Sequence, residues 1–134
     1  MKPLLILLSL CCIFPPNKAT AQQISGNDLY TTCTSDNSVM LGFCIGYIIG
    51  NLEGQNWGAF LFSKSAGEDL STDEFNQAAN RAFYHCVPSS ASNEQLRDVV
   101  TSYLQNNPAT RHESARYLTW QAYQEAFPCD EATK

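Results

Sequence analysis

Residues 39–58 read VMLGFCIGYIIGNLEGQNWG, and this stretch decides the fold of the chain. From residue 39 to residue 52 it is apolar on nearly every face of a helix, which is typical of the buried centre of a helical bundle. It is too short, and too soon followed by Asn51 and Glu53, to cross a membrane. We therefore predict a buried central helix over residues 39–52.

Five glycines recur every four residues in this region, at Gly42, Gly46, Gly50, Gly54 and Gly58. Each costs up to ~1 kcal/mol relative to alanine in a helix interior, so a stripe of them favours the close approach of another backbone. We expect that backbone to belong to the same chain, with a dimer seam as the alternative. The last two glycines can also mark fraying of the helix into a loop.

Three further helices are predicted from serines that stand three residues before an acid or amide. Such capping boxes begin at Ser25, Ser71 and Ser92, and small or polar residues at 34–38 interrupt the chain after the first of these helices. The helix after Ser92 carries a clear amphipathic stripe, formed by Leu96, Val99, Val100, Tyr103 and Leu104. Residues 55–70 show no clean period, and we expect irregular structure there with a possible helical turn.

The last helix is predicted to be capped by residues 110–113 and to run to about Phe127. Its expected core face is Ala115, Leu118, Ala122 and Ala126, with Tyr117, Trp120 and Tyr123 at the margins. No strand pattern of useful length occurs. The predicted fold is therefore all-α: about five helices in one small, disulfide-stapled bundle.

The first 21 residues have the features of a secretory signal peptide. A basic start at Lys2 precedes a largely apolar run at residues 4–14 and an A-x-A cleavage site that ends at Ala21. Residues 22–134 then form a single domain, which is long enough for one core. This leader predicts export to an oxidising compartment such as the periplasm.

The charge of the chain disfavours nucleic acid and anionic membranes as partners. The formal net charge is −5, and loss of Lys2 and Lys18 with the leader, without loss of any acid, takes it to −7. An acidic surface has no basic field to neutralise phosphates, whereas it suits a basic protein partner.

Four of the six cysteines remain after cleavage, namely Cys33, Cys44, Cys86 and Cys129. In an exported chain they predict two disulfides, with three possible connectivities. A zinc site is not expected, because the ligands lack closely paired C-x-x-C spacing. We also expect Cys86, beside His85, to be oxidised and inert rather than a nucleophile.

No other pattern indicates catalysis. His112 and Glu113 begin like the zinc motif H-E-x-x-H, but Arg116 stands where the second histidine is required, so His112 and Arg111 are assigned surface or capping roles at the last helix. No nucleotide-binding loop or nucleophile elbow occurs. We predict a binding protein without cofactor, metal or enzymatic activity.

The partner surface is predicted on residues 55–74. This region combines large aromatics with the densest acidic cluster in the chain, and its candidate contacts are Trp57, Phe60, Phe62, Glu68, Asp69, Asp73 and Glu74. Aromatic anchors rimmed by charge are typical of protein interfaces. The alternatives are that the aromatics close one end of the core and that the acids form a solvated helix start.

Three local patterns, taken in order, resemble the Rap/Tai family of type VI secretion amidase immunity proteins. They are the Cys-x-x-Tyr-x-x-Gly helix at residues 44–50, preceded by Cys33; Cys86-Val87-Pro88; and Tyr103-Leu104, Asn107-Pro108, Arg111-His112 and Ala115, closing with Ala126-Phe127-Pro128-Cys129. The segment between Gly50 and Cys86 looks longer than the corresponding segment of the family's pattern.

The resemblance implies a small helical periplasmic protein, commonly a homodimer, that binds a peptidoglycan amidase toxin and covers its cleft. The alternative is a periplasmic structural or chaperone-like binding protein without a toxin partner. Separately, the last two predicted helices form an antiparallel hairpin, which returns Cys129 towards Cys86. By elimination Cys33 then pairs with Cys44, with the chain reversing at residues 34–38.

Overall fold

The computed structural model describes residues 23–130, so the predicted signal peptide at residues 1–21 lies outside the described residues. Five helices follow one another: α1 (Gly26–Cys33), α2 (Ser38–Ser65), α3 (Thr72–Phe83), α4 (Asn93–Asn106) and α5 (Ala115–Ala126). Across residues 23–130 no strand forms, and the one extended pairing is an isolated bridge between Ser25 and Ser114. The all-α prediction is confirmed.

Local capping explains where the first four helices begin. Ser25 and Ser71 form complete capping boxes with Asp28 and Glu74, in which each serine accepts a backbone N–H and the acid accepts the serine N–H. Ser92 caps α4 by accepting from the Gln95 N–H at 3.2 Å. Residues 34–38 do interrupt the chain, and Asn37 there caps α2.

Helix α2 is much longer than predicted. It continues through residues 55–65, where we expected irregular structure, because no residue before Gly67 forces the backbone out of the helix. Gly67 has φ +78°, and the N–H groups of Gly67 and Glu68 bond back to the carbonyls of Lys64 and Ser63. This Schellman closure, which favours glycine, ends the helix.

The core lies where α1, α4, α5 and the N-terminal half of α2 meet. We call these four segments the body. Its buried apolar side chains are Leu29, Cys33, Cys44, Ile48, Leu96, Val100, Leu104, Ala115, Leu118, Ala122 and Tyr123.

The prediction that α2 is the buried centre of the bundle is wrong. In this helix Cys44, Ile48 and Ser63 alone are buried, and Val39 on the opposite face is 76% exposed. The body packs on one side of α2 and leaves its other side open.

The glycine stripe does not pack against another part of the described chain either. A Cβ added at Gly42, Gly46, Gly50, Gly54 or Gly58 would meet no atom of residues 23–130 within 4 Å. The expectation of close packing within one chain is therefore wrong, and the dimer-seam alternative stays open.

The start of the last helix differs from the prediction. Helix α5 begins after Ser114, and residues 108–113 form turns in which Thr110 donates to the Asn107 carbonyl instead of capping α5. Tyr123, assigned to a margin, is fully buried, whereas Ala126, assigned to the core, is exposed. Ala115, Leu118 and Ala122 are buried as predicted, so the predicted face is right, and the differences are confined to Tyr123 at its margin and Ala126 at the end of the helix.

Both predicted disulfides are present. Cys33 pairs with Cys44 across the turn between α1 and α2, and Cys86 pairs with Cys129 across the α4–α5 hairpin. The first bridge is buried in the core, while Cys86 and Cys129 are half-buried. The two bridges therefore tie opposite ends of the body.

Candidate functional site: a two-helix arm

Residues 53–83 form an arm that consists of the C-terminal part of α2 and all of α3. Helix α3 packs mainly on α2 and makes few contacts with the other helices. The arm is fixed to the body at its base, where Trp120 Nε1 of α5 donates to the Phe83 carbonyl at 2.9 Å. The Cys86–Cys129 bridge follows three residues later. The tip of the arm, at residues 66–74, has no such support from the body.

The aromatic residues predicted as partner contacts lie on this arm. Trp57 is 61% exposed and Phe62 is 75% exposed. Phe60 is half-buried; its ring stacks on Trp57 with centroids 5.2 Å apart and meets the edge of Phe75 at 5.9 Å. These aromatics therefore close the arm itself, not the end of the body core.

Two different surfaces of the arm carry Trp57 and Phe62. Five residues separate them, which at ~100° per residue places them ~140° apart around the α2 axis. Phe62 borders α3 and the tip, whereas Trp57 lies on the side of α2 that faces away from the body. The two exposed aromatics consequently cannot touch one flat partner surface together.

The four predicted acids all lie exposed near the tip, but two of them have local partners. Asp69 pairs with Lys64 at 2.6 Å, and this hydrogen bond and the lysine charge lower the pKa of its carboxyl. Glu74 accepts from Ser71 in the α3 capping box, which lowers its pKa likewise. Within residues 23–130, the side-chain carboxylates of Glu68 and Asp73 make no hydrogen bond or ion pair, so their charges are available to a partner.

An apolar groove runs between the two helices of the arm beside Phe62. Its volume is about 330 Å³, its floor consists of small residues from both helices, and Phe75 and Phe83 form part of its walls. Glu68 stands at its rim. A groove of this kind suits a side chain with an apolar stem and a positive end, because the stem loses water contact while the charge meets the carboxylate.

His85, at the base of the arm, is 3% exposed. Its Nε2 lies 3.0 Å from Oε1 of Gln55, and its ring packs against Phe83 and the edge of Tyr123. Burial lowers the pKa of this imidazole. In the neutral form, Nε2–H donates to the Gln55 carbonyl oxygen and links α2 to the segment after α3, so the residue is a structural tie.

Neither a cluster of metal-ligating side chains nor a membrane-spanning helix is found in the described part of the chain. Among residues 23–130 no group of three or more His, Cys, Asp or Glu side chains is placed to hold a metal ion. In the same part of the chain no helix combines the length and apolarity needed to cross a membrane.

The profile of the Rap1a immunity proteins matches residues 25–129. The chain belongs to the Rap1a immunity protein family. The match spans all five helices and the four bridged cysteines of this Rap1a immunity protein. No curated protein and no solved structure matches the chain. Membership implies a toxin effector as the binding partner, and the two disulfides fit an exported protein.

Sequence reasoning missed the residues that tie the elements together. Arg111 does not cap the last helix, as predicted, but the end of α4. Its Nε and Nη2 donate to the carbonyls of Leu104 and Gln105, at 2.5 and 3.1 Å. Its guanidinium also lies 4.0 Å from the centroid of the Tyr30 ring. The position of Arg111 just after the helix end was a usable signal, since cations favour helix C-termini.

Proposed function

We propose that this chain is a periplasmic immunity protein that binds and inhibits a peptidoglycan amidase toxin delivered by type VI secretion. It acts by stoichiometric binding and has no catalytic activity of its own. Family membership supports the immunity role, and the predicted leader together with two disulfides supports the periplasm. A homodimer, which the resemblance implies, is part of the proposal.

The observation that carries the proposal is the exposed tip of the arm. Phe62 is 75% exposed, a large apolar side chain left in water with no partner in the described chain. Glu68 lines the same groove as Phe62, and Asp73 lies exposed in the first turn of α3; within the described residues neither carboxylate is paired. A central apolar anchor with charge at its rim is the arrangement in which protein interfaces concentrate their binding energy.

The groove beside Phe62 adds a reason for a basic partner surface. A lysine or arginine of the toxin can lay its apolar stem between α2 and α3 and place its charge at Glu68. The remaining predicted contacts stabilise the tip. The Phe60 ring packs against Trp57 and Phe75. Asp69 pairs with Lys64, and Glu74 accepts from Ser71, so both acids stabilise the turn between α2 and α3.

The arm is suited to covering a cleft. It projects from a body closed by two disulfides, and its two helices are already ordered before binding. Little conformational entropy is therefore lost when it docks, which favours tight binding by a small surface. An arm seated over the cleft of an amidase excludes the peptidoglycan substrate by occupying its place.

The direct test is inhibition of candidate type VI amidases by the purified protein. Hydrolysis of peptidoglycan should fall to zero near one binding site per enzyme, and the protein alone should release no product. Hydrolysis by the purified protein alone, or failure to bind any such amidase, would refute the proposal.

Single substitutions at the tip locate the surface. Phe62→Ala should weaken binding by about 2 kcal/mol, roughly 30-fold, with little change in melting temperature because the side chain is mostly exposed. Tyr117→Ala, which removes an exposed aromatic of α5, is the matched control and should leave affinity unchanged. Equal effects of the two substitutions would place the toxin surface away from the arm.

Charge reversal tests the role of the acids. Glu68→Lys should slow association with the amidase, and the difference from the native chain should shrink as salt is added. Glu125→Lys on α5 makes the same change in net charge at an exposed position outside the arm. A similar slowing in both variants would mean that net charge, not the tip, attracts the toxin.

A further inference from the structure

A second cavity lies at the base of the arm. Its volume is about 450 Å³, within the range of cavities that hold small ligands. Residues of α2, α3, α4 and the segment 85–91 line it, and Ala79 is the one residue that it shares with the groove beside Phe62. The cavity is therefore a separate site, built where the arm joins the body.

His85 forms part of the floor of this cavity, and the protonation of its ring is fixed from behind. Gln55 donates through Nε2 to Asn51 Oδ1 at 2.6 Å, which leaves Gln55 Oε1 facing the imidazole Nε2 at 3.0 Å. A carbonyl oxygen only accepts, so Nε2 carries the ring hydrogen and Nδ1 keeps a free lone pair. Nδ1 is buried and has no hydrogen-bond partner among residues 23–130. The floor thus contains an acceptor that lacks a donor.

Uncharged polar side chains surround the opening of the cavity. Asn56, Asn76 and Ser89 are exposed there, and Asn80 is half-buried in the wall. None of these four side chains makes a hydrogen bond within the described part of the chain. Each carboxamide offers two N–H donors and one carbonyl acceptor, so the opening can pair with a ligand that has both.

The lining of the cavity selects against a charged ligand. Among the described residues, no Asp, Glu, Lys or Arg lines it. A charged group would lose hydration there without meeting an opposite charge, which is unfavourable. Leu52, Val87 and Leu96 provide aliphatic walls, which suit a short apolar group.

We propose that this cavity binds an uncharged secondary amide that carries a short aliphatic substituent. The amide N–H is directed towards Nδ1 of His85, the carbonyl accepts from the carboxamide of Asn80, and the substituent packs against Val87 and Leu96. The acetamido group of an amino sugar and an alanyl peptide unit both have this chemistry, and both occur in peptidoglycan. The lining includes no residue of the tip, so this ligand is bound independently of a toxin.

Titration with two small probes tests the site and separates the two sources of the amide. The probes are N-acetylglucosamine and N-acetyl-L-alanine N′-methylamide. Their controls are glucose, which lacks the acetamido group, and methyl O-acetyl-L-lactate, in which esters replace both amides. Neither control has an amide N–H, and neither should bind.

The histidine rings report the binding directly. The chain has two histidines, so ring ¹⁵N spectra of the purified protein contain two sets of signals. Nδ1 of His85 should shift upfield when a probe donates to it, whereas His112, outside the cavity, should not change. A shift with one probe identifies the source of the amide. Absence of a His85 shift with both probes at tens of millimolar overturns the proposal.

Asn80→Ala tests the placement of the ligand carbonyl. The Asn80 carboxamide has no partner in the described chain, so its removal should not lower the melting temperature. Binding of the probe that shifts His85 should weaken about fivefold, the effect of losing one hydrogen bond. Asn27→Ala, which removes an exposed asparagine of α1 outside the cavity, is the matched control and should bind as the native chain does. Equal affinities of the native chain and Asn80→Ala overturn the placement.

The same variant keeps this inference distinct from the proposed function. Because the cavity does not include the tip, Asn80→Ala should still inhibit an amidase at one binding site per enzyme. Loss of inhibition in a folded Asn80→Ala variant would contradict the independence of the two sites.

Discussion

Removal of the Cys86–Cys129 bridge by the double substitution to serine should destabilise the protein by about 4 kcal/mol. The bridge closes a loop of 43 residues that contains α4 and α5, and the chain-entropy model gives this magnitude for a loop of that length. Both cysteines are half-buried, so the loss of packing adds little. Because a domain of this size is stable by only ~5–15 kcal/mol, the change should be easily measured.

Urea unfolding followed by circular dichroism measures the effect as a fall in the free energy of unfolding. The double alanine variant of Cys33 and Cys44 provides the comparison: its loop of 11 residues predicts ~3 kcal/mol from entropy alone. Since Cys44 is completely buried, that variant should also lose packing and cost at least as much as the first. A loss below about 1 kcal/mol on removing Cys86–Cys129 would refute the reasoning from loop closure.

Three further perturbations test local features. Gly26→Ala should destabilise the folded protein by about 1–3 kcal/mol in thermal unfolding, because the new methyl would collide with the Leu118 side chain and lie 2.9 Å from a backbone carbonyl oxygen. An unchanged melting temperature would contradict the packing of α1 against α5. Asn37→Ala should cost about 1 kcal/mol by the same measurement, since the Asn37 side chain accepts two N–H groups at the start of α2; Asn37→Ser, a capping residue, should restore most of it. Burial lowers the pKa of His85, so the unfolded chain binds a proton more readily than the folded one. The contribution of His85 to the free energy of unfolding is therefore complete above the unfolded pKa of about 6.5. It is lost as the pH falls from there through the lower pKa of the folded chain. Unfolding free energies at several pH values should show this slope in the native chain and a smaller one in His85→Gln, and equal slopes would exclude His85 as its source.

The proposed effector surface and the glycine stripe differ in how far the sequence could predict their surroundings. Aromatics and acids in residues 55–74 were sufficient to propose this region as a partner surface, because interface residues have a recognisable composition. The division of that region into two surfaces required the helix through residue 65, which fixes Trp57 and Phe62 on different sides. Whether the glycine stripe faced the chain itself or open space also depended on where the body packs.

The features that the sequence determined by itself are helices set by local contacts and the covalent disulfides. Serine caps and amphipathic spacing defined α1, α3 and α4, since a cap bonds to N–H groups two or three residues away and needs no distant partner. The disulfide pairing followed from the hairpin of the last two helices. Tertiary structure alone decided the exposure of α2, the burial of Tyr123 and the capping of α4 by Arg111, because each depends on groups brought together from distant parts of the chain. An apolar helix has the same sequence whether its second face meets its own core or a second molecule, and only the packing of the body shows that this face is left open.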